Sequence, residues 1–357
     1  MNYEKYMKIA IELANKGEGE VYTNPLVGCV IVKNNRIVGK GWHQYFGGNH
    51  AEINALADAG ENAKGADLYV TLEPCDSYGK KPPCTLAIIK AGIKNVYFAM
   101  FDSNVSCSGE VLKENGIKVF GGLLKEQAKI LIKDYLKYLK SKPKVSVKAA
   151  MTLDGKIATY KYDSKWITSK KSRTFVHKMR SQYDAVLVGT NTVLKDNPSL
   201  KTHSNTLKNP VRVVIDSKLK LSEICHLFDA TVPTIVIYDS NIANIPTHLN
   251  KRGIVLASVN IDMAKKDFGI IIKKLNSLSI KRILIEGGGE VIASALFSNV
   301  VDDVYFFIAP KIVGGKFAVS SVGGQGVGKI CESISVRNME SRKIGSDLII
   351  TGTVGDK

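Results

Sequence analysis

The stretch EPCDSYGKKPPC, residues 73–84, places Cys75 and Cys84 eight residues apart, and His50-Ala51-Glu52 precedes it at the start of a predicted helix. One imidazole and two thiolates form a three-ligand zinc set with a fourth position left for water, as catalytic zinc requires. The pattern H-x-E followed by P-C and a second cysteine is the signature of zinc-dependent nucleobase deaminases. The sequence therefore predicts the zinc ligands His50, Cys75 and Cys84, with Glu52 as the proton shuttle.

Two other interpretations of the cysteines fit less well. A structural zinc site needs a fourth protein ligand, and the nearest candidate, His43, ends a strand on the other side of a loop. A redox pair favours C-x-x-C spacing, which the sequence lacks. Both cysteines are instead predicted at helix starts or strand ends, where backbone N–H groups favour a thiolate. The eight-residue spacer then forms a loop beside the metal and is a candidate substrate contact.

The length of 357 residues predicts two domains, 1–143 and 144–357, with a break near Pro143. In the first, a hairpin over 27–43 is followed by alternating helices and strands, which indicates an α/β domain with a mainly parallel sheet. A long amphipathic helix is predicted over 123–140. Strands of a second α/β domain are predicted at 144–158, 185–189, 211–216, 234–238, 253–258, 282–289 and 301–314.

Charge and composition limit the classes of protein to which this sequence can belong. The net charge is +17, of which +4 falls in residues 1–143 and +13 in the remainder. The lysines are scattered, which favours a solvated surface over a nucleic-acid site. Six cysteines are too few for a disulfide-stapled secreted scaffold, and no apolar run is long enough to span a membrane. We therefore expect a cytoplasmic protein without nucleic-acid or membrane partners.

A second candidate site follows a buried strand in the second domain. The sequence ILIEGGGEVIASAL runs from a strand through three glycines into a helix, where backbone and helix N-terminus favour a phosphate. The pattern does not complete G-x-G-x-x-G, so a plain tight turn remains an equal alternative on these residues alone. GGQGVGKI, residues 323–330, is not a P-loop, because Ile330 stands where a magnesium-binding Ser or Thr is required.

Several stretches together carry a family resemblance that spans nearly the whole chain. TNPLVGCVIV, GWHQYFGGNHAEINAL, YVTLEPCDSYGKKPPC, HKMRSQYDAVLVGTNTVLKDNPSL and ILIEGGGEVIASALF resemble, in order, the bifunctional deaminase–reductases of riboflavin biosynthesis. The eight-residue spacer ending in Pro-Pro-Cys is typical of that family. The resemblance implies a cytidine-deaminase-like three-layer domain that binds one zinc and a dihydrofolate-reductase-like domain that uses NADPH.

The resemblance also implies two reactions on phosphorylated pyrimidine substrates. The first domain would remove the ring amino group of a diamino-ribosylamino-pyrimidinone 5′-phosphate by hydrolysis. The second domain would reduce the ribosyl group of the deaminated product to ribityl. The resemblance also implies a homo-oligomer. On the family's pattern, the deaminase substrate is held by Asn24, His43, Lys80, Asp102 and Asn104.

The reductase residues implied by the resemblance form two groups. The cofactor group comprises Ala150, Trp166, Thr192, Asp196, Ser217, Gly288, Gly289, Glu290, Val291, Ile292, Ala293 and Ser294. The substrate group comprises Ser164, Arg180, Leu200, His203 and Glu286, with Lys156 as a further basic candidate. Arg180 suits a phosphate in particular, because a guanidinium pairs with it through two parallel hydrogen bonds.

The sequence departs from the family at two substrate positions. Ser77 stands where a substrate-facing histidine is usual, and His203 stands where the family commonly has an arginine. Two rival functions are an RNA deaminase with a basic accessory domain and a phospho-ligand sensor without catalysis. The long second α/β domain argues against the first rival, and the intact zinc set with Glu52 argues against the second.

Overall fold

The computed structural model describes residues 3–21, 24–76, 83–102, 108–204, 206–251 and 253–355. The chain divides into two compact units, Met1–Lys140 and Ser141–Lys357. Among the described residues, no helix is both long enough and apolar enough to cross a membrane.

The described residues of the first unit form five strands and six α-helices. Its strands are β1 (Gly28–Lys33), β2 (Arg36–Trp42), β3 (Asp67–Leu72), β4 (Asn95–Met100) and β5 (Lys118–Gly121). Its helices are α1 (Tyr3–Asn15), α2 (Ala51–Ala59), α3 (Cys84–Lys90), α4 (Ser108–Glu114), α5 (Lys125–Leu131) and α6 (Lys133–Lys140).

The predicted hairpin is confirmed, and the sheet it begins is mixed. Asn34 and Asn35 join β1 to β2 with φ of 50° and 59°, the left-handed pair that a tight hairpin turn requires. The sheet order is β2-β1-β3-β4-β5, and β3, β4 and β5 run parallel. Strand β1 is antiparallel to both of its neighbours, so the expected mainly parallel sheet is parallel only in its second half.

Both faces of this sheet are covered, which gives three layers. Alternate residues of β1 enter separate cores, because successive side chains of a strand point to opposite faces. Cys29 and Ile31 pack with α2, α3 and α4, whereas Val30 and Val32 pack with α1 and α5. The predicted α/β class and three-layer arrangement are confirmed.

The helix predicted over 123–140 is two helices, and this prediction was wrong at Ile132. The backbone there takes φ of −110° and ψ of 20°, outside the helical range, between α5 and α6. Ile132 is 4% exposed and packs in the same core as Ala128. The interruption therefore coincides with the burial of an apolar side chain.

The second unit is built on a larger sheet. Its strands are β6 (Lys144–Thr152), β7 (Lys156–Ala158), β8 (Ala185–Gly189), β9 (Val211–Ile215), β10 (Thr234–Asp239), β11 (Ile254–Val259), β12 (Arg282–Gly287), β13 (Asp303–Ala309), β14 (Val319–Ser320), β15 (Val336–Ile344) and β16 (Asp347–Val354). Its helices are α7 (Lys170–Arg180), α8 (Thr190–Asp196), α9 (Ile261–Lys266), α10 (Gly269–Ser277) and α11 (Gly289–Phe297).

Nine of these strands form one sheet in the order β11-β10-β9-β8-β12-β6-β13-β16-β15. The strands from β11 to β13 are parallel, and β16 and β15 add an antiparallel edge. Sequence reasoning missed both of these antiparallel strands, β15 and β16. Strand β15 pairs on one side only and seven of its nine residues are exposed, so it shows no apolar alternation.

The strand order creates a crevice at the centre of this sheet. Strands β8 to β11 follow one another outward in chain order, whereas β12 returns to lie between β8 and β6. The direction in which successive strands are added to the sheet therefore reverses between β8 and β12. In open parallel sheets, ligands bind at the carboxyl ends of the strands that flank such a reversal. Gly189 and Gly287 end these two strands.

One charged side chain is fully enclosed beside the sheet. Arg212 on β9 is 0% exposed and donates to the Thr234 hydroxyl at 3.0 Å and the His226 carbonyl at 2.9 Å. It also donates to the carboxylate of Asp229 at 2.9 Å and to the carbonyl of Val232. A buried guanidinium with all of these partners ties the 226–232 segment to the sheet.

We expect Arg212→Met to destabilise the second unit by about 3 kcal/mol, because it leaves buried acceptors unpaired. Urea denaturation followed by hydrogen exchange of β8 to β10 measures the change locally. The exposed Arg337 provides the control, since Arg337→Met should change stability by less than about 0.5 kcal/mol. Equal stability of the two variants would contradict the role of Arg212.

Candidate active sites

The first candidate site is assembled at the start of α2, the end of β3 and the start of α3. His50 immediately precedes α2, Cys75 lies three residues after β3, and Cys84 is the first residue of α3. Gly41 on β2 allows α2 to lie against the sheet, because a Cβ there would be 2.3 Å from the backbone of Ala51. This close approach fixes the helix start that carries His50.

The three predicted ligands converge. His50 Nδ1 lies 3.5 Å from Cys75 Sγ and 3.3 Å from Cys84 Sγ, and the three ligand atoms lie within 4.8 Å of one another. Tetrahedral zinc places a bound nitrogen and a bound sulfur about 3.6 Å apart, from its ordinary Zn–N and Zn–S distances. The donor set and its spacing therefore fit a zinc ion with one position left for a further ligand.

The protonation of the two thiols also fits a metal centre. A hydrogen bond from Cys84, together with the nearby His50, lowers the pKa of Cys75 to about 4. The same hydrogen bond raises the pKa of Cys84, so the pair shares one proton. The backbone N–H of Cys84 also donates to Cys75 Sγ at 3.3 Å. A cation between the sulfurs would replace the shared proton and stabilise both thiolates.

Glu52 lies in the first turn of α2, beside this cluster. It is 3% exposed, and burial raises its pKa to about 7, although the adjacent His50 opposes the shift. A carboxyl group that titrates near neutral pH exchanges protons readily in both directions. Glu52 therefore has the position and the acidity of a proton shuttle.

Two of the predicted substrate residues form a hydrogen-bonded chain next to the ligands. His43 Nδ1 lies 3.0 Å from the Asn49 carbonyl, and its Nε2 lies 3.0 Å from Asn24 Nδ2. The carbonyl can only accept, so Nδ1 carries the hydrogen and Nε2 accepts from the Asn24 amide. The ring of His43 also meets the ring of His50 edge-on, with centroids 5.8 Å apart.

The other predicted deaminase contacts are less defined. The backbone N–H of Asp102 donates to the Glu73 carboxylate at 3.4 Å, and the Ser108 hydroxyl donates to the same carboxylate at 2.5 Å. Glu73 thus holds the chain at Asp102 and again at Ser108. Sequence reasoning did not predict this role of Glu73. Lys80, Asn104 and the departure at Ser77 lie outside the described residues.

The second candidate site consists of two adjoining cavities at the central crevice of the second unit. The larger has a volume of about 870 Å³ and the smaller about 460 Å³. Both are lined by the same five residues where they meet: Ile157, Ser164, Thr192, Asp196 and Gly288. Two ligands bound in the two cavities would therefore touch at this junction.

The predicted cofactor residues lie mostly around the junction and the larger cavity. Thr192, Asp196, Ser217, Gly288, Gly289, Glu290 and Val291 line the larger cavity, and Ala150, Trp166 and Ile292 line the smaller one. Ala293 and Ser294 follow in α11 and line neither. Gly289 allows a close approach, because a Cβ there would be 2.5 Å from the Ser320 carbonyl. The Glu290 carboxylate accepts from the backbone of Gly324 at 3.1 Å.

The predicted substrate residues are divided between the cavities. Ser164, Arg180, Leu200, His203 and Glu286 all line the smaller cavity. Lys156 instead donates from Nζ to the Ser320 hydroxyl at 3.2 Å, and Ser320 lines the larger cavity. His203 lies 3.1 Å from the Ser199 hydroxyl and packs edge-on against His177 at 4.5 Å.

Arg180 is arranged differently from the sequence expectation of a phosphate-binding fork. Its Nε donates to Glu286 Oε1 at 2.6 Å and its Nη2 to Oε2 at 3.0 Å. Its Nη1 donates to the Lys201 carbonyl at 2.8 Å. The fork is therefore engaged by a carboxylate of the protein, and direct phosphate binding by Arg180 would have to compete with that carboxylate.

Lys148 completes this charged group, and sequence reasoning missed it. Its Nζ lies 3.7 Å from Glu286 Oε2, and both side chains are largely enclosed where they line the smaller cavity. Burial alone would raise the pKa of Glu286, but the charges of Arg180 and Lys148 lower it to about 2. Burial lowers the pKa of Lys148, with Glu286 opposing the shift. A lysine in the alternating strand KVSVKAAMT carries no local signal of such a role.

The chain is similar to known proteins over both units. Residues 1–100 match the cytidine and deoxycytidylate deaminase zinc-binding region, and residues 143–350 match the RibD C-terminal domain. The chain is 42% identical over 355 residues to the riboflavin biosynthesis protein RibD of Aquifex aeolicus, with 97% of each chain covered.

Solved structures give the same relationship. A deaminase/reductase of Thermotoga maritima is 40% identical with a TM-score of 0.51, and 99% of each chain is covered. Acinetobacter baumannii RibD is 29% identical with a TM-score of 0.54 over the same share of both chains. The chain belongs to the RibD family of bifunctional riboflavin-biosynthesis enzymes, with a zinc-binding deaminase domain and a reductase domain.

Proposed function

We propose that the first unit hydrolyses the ring amino group of a diamino-ribosylamino-pyrimidinone 5′-phosphate. The observation that carries this proposal is the convergence of His50, Cys75 and Cys84 beside the buried Glu52. His50, Cys75 and Cys84 would hold the zinc, which when bound would acidify a water molecule for use as the nucleophile. The Thermotoga maritima relative is a diaminohydroxyphosphoribosylaminopyrimidine deaminase, which supports this substrate class.

The residues of the chain have distinct parts in this reaction. Glu52 would take one proton from the attacking water and pass it to a ring nitrogen. It would then take the proton of the newly formed hydroxyl group and pass it to the amino group, which leaves as ammonia. The two hydrogen bonds that link the Asn49 carbonyl, His43 and Asn24 hold the Asn24 amide by its nitrogen. The Asn24 carboxamide oxygen is then the atom that accepts from the pyrimidine ring.

We propose that the second unit reduces the ribosyl group of the deaminated product with NADPH. The observation that carries this proposal is the meeting of the two cavities at Ser164, Thr192 and Gly288. The residues that line the larger cavity would hold NADPH, which would supply the hydride. Gly288 and Gly289 precede and begin α11, whose N-terminus favours the cofactor's phosphates.

The smaller cavity would bind the phosphorylated pyrimidine. Its walls orient the ribosyl carbon toward the junction, and hydride transfer depends mainly on that position. The carboxylate of Glu286 stays ionised at working pH because Arg180 and Lys148 hold its pKa low, so it accepts hydrogen bonds from the substrate. His203 lies on the same wall and would donate to the substrate phosphate.

Assembly and location form part of the proposal. We propose a cytoplasmic location, because thiolate ligands such as Cys75 and Cys84 need reducing surroundings before a metal binds them. The homo-oligomer is proposed on the family resemblance alone. The RNA deaminase and the ligand sensor find no support among the relatives, which match the chain over both units.

Replacing Glu52 tests the deaminase. We expect Glu52→Gln to lower the rate of ammonia release about a thousandfold, because the amide cannot shuttle protons. Bound zinc and NADPH oxidation with the deaminated substrate should stay unchanged and serve as internal controls. Full ammonia release by this variant would refute the assignment of Glu52.

Replacing Cys84 tests the metal centre. We expect Cys84→Ser to reduce bound zinc from one per chain to a small fraction, because the thiolate is a much better ligand than a hydroxyl. A chelator-based colorimetric assay after dialysis measures the metal. Cys331→Ser is the matched control, since Cys331 is an exposed cysteine outside the ligand cluster. Zinc retention by Cys84→Ser equal to that of the control would contradict the site.

Replacing Arg180 tests the charged group of the smaller cavity. Loss of its positive charge should raise the pKa of Glu286 from about 2, because burial favours the neutral acid. Glu286 would then gain a proton as the pH falls through the raised pKa. We expect kcat/KM for Arg180→Ala to decline on the acid side at a higher pH than in the parent enzyme.

The pH profile of NADPH oxidation measures this shift. Arg173→Ala removes another arginine of α7 that lines the same cavity but stacks on Trp166, at 4.3 Å, away from Glu286. The control should keep the parent's acid limb. Two results would contradict the pairing of Arg180 with Glu286. One is an acid side of the kcat/KM profile that is the same in Arg180→Ala and the parent, and the other is an equal shift in Arg173→Ala.

A further inference from the structure

Asn54 is a polar residue of α2 that the proposed deaminase chemistry does not use. It lies on the helix that carries Glu52 and directly follows His50. Its amide nitrogen lies 2.8 Å from the Trp42 carbonyl and 3.5 Å from the Asn49 carbonyl. Carbonyl oxygens only accept, so the amide faces them with its two N–H groups. Asn54 therefore joins α2 to the end of β2 and to the residue before His50.

The contact with Trp42 fixes the backbone of His43. The carbonyl that Asn54 binds belongs to the peptide group that joins Trp42 to His43. The N–H of the same peptide group donates to the Val27 carbonyl at 2.9 Å. This peptide group is therefore held at its oxygen by α2 and at its nitrogen by the residue before β1.

The sheet itself does not supply the bond that Asn54 makes. Strand β2 is the last strand of its sheet, and Trp42 lies opposite Gly28 of β1. The backbone N–H of Gly28 donates to the Thr71 hydroxyl at 3.2 Å. The Trp42 carbonyl is thus bound by a side chain of α2 at the place where the strand pairing ends.

The side chain of His43 depends on the second contact as well. Its Nδ1 donates to the Asn49 carbonyl at 3.0 Å, the same oxygen that Asn54 approaches. Its Nε2 accepts from the Asn24 amide at 3.0 Å. Both the backbone and the ring of His43 are therefore placed by carbonyl groups that Asn54 contacts.

This arrangement joins two parts of the proposed active site. His50 and Glu52 belong to the start of α2, whereas His43 and Asn24, the pair that would hold the pyrimidine ring, lie on other segments. The rings of His43 and His50 are already edge-on, with centroids 5.8 Å apart. A displacement of His43 would move the Asn24 amide relative to Glu52, and reaction rates are sensitive to shifts of about 1 Å.

We propose that Asn54 is a positioning residue of the deaminase, which sets the place of His43 and Asn24 relative to the start of α2. It acts through His43 rather than on the substrate. This inference rests on the proposed deaminase function and adds the residue that joins the ring-binding pair to the helix of the proton shuttle.

Replacement of Asn54 by leucine tests this role, because leucine has nearly the same shape, carries no charge and lacks both donors. We expect KM for the diaminopyrimidine nucleotide to rise about tenfold in Asn54→Leu, with a smaller change in kcat. Asn115→Leu is the matched control. The Asn115 amide also donates to a carbonyl, that of Val111 at 2.9 Å, but Asn115 is exposed after α4. Its KM should equal the parent's.

A double-mutant cycle with Asn24 separates positioning from a general structural effect. If Asn54 acts through the Asn24 amide, Asn54→Leu should raise KM less than about twofold in an Asn24→Ala background, because no amide remains to be positioned. An equal tenfold rise in both backgrounds would overturn the inference, since independent effects add.

Two measurements on the same samples report folding. Bound zinc should stay at the parent's level, and NADPH oxidation with the deaminated substrate should be unchanged. Asn54→Ala, run in parallel, removes the amide without adding apolar surface and should give the same rise in KM. Loss of zinc in both variants would overturn the inference, because Asn54 would then hold the ligand helix itself.

The parent enzyme separates this inference from the deaminase assignment. A parent that releases no ammonia from the diaminopyrimidine nucleotide would overturn the assignment and the role of Asn54 together. An active parent with the same KM as Asn54→Leu and Asn54→Ala would overturn the role of Asn54 alone.

Discussion

The deaminase unit depends on the electrostatic constraint that two thiolates cannot lie side by side without a cation. Cys75 and Cys84 share one proton in the arrangement of protein atoms alone, and His50 lies within 3.5 Å of both sulfurs. The sheet, the close packing of α2 on β2 and the start of α3 bring these three side chains together. Metal binding and correct folding of this region are therefore linked, since the metal removes the repulsion that the fold creates.

The reductase unit solves a related problem with two cationic side chains. Glu286 is buried at the end of β12, and an isolated carboxylate there would take up a proton. Arg180 and Lys148 keep it ionised, so the smaller cavity contains a fixed negative charge between two fixed positive charges. Such groups cost desolvation free energy and are weak evidence for stability. Their position on a cavity wall supports the proposed role in orienting a polar substrate.

Sequence reasoning reached the parts of the structure that depend on short-range patterns. The hairpin at Asn34-Asn35 is confirmed because its turn chemistry is local. The three side chains that the H-x-E and P-C patterns predict as ligands lie within 4.8 Å of one another. The partner of Arg180 could not be found in this way, since Glu286 lies 106 residues away in the chain. Strand β15 was missed because an edge strand with two exposed faces shows no period-two pattern.

Net charge illustrates why a global property predicts a site poorly. The second half carries +13, yet Arg212 is enclosed by backbone carbonyls and Asp229, and Lys281 donates to the Ser141 carbonyl. Charges on other faces act weakly at a cavity, because salt screens exposed charges beyond about 10 Å. What matters for an anionic ligand is the small number of cations on the cavity wall without a carboxylate partner. Arg212 and Lys281 show that part of the excess charge of this unit has structural partners, so the total charge does not locate an anion-binding site.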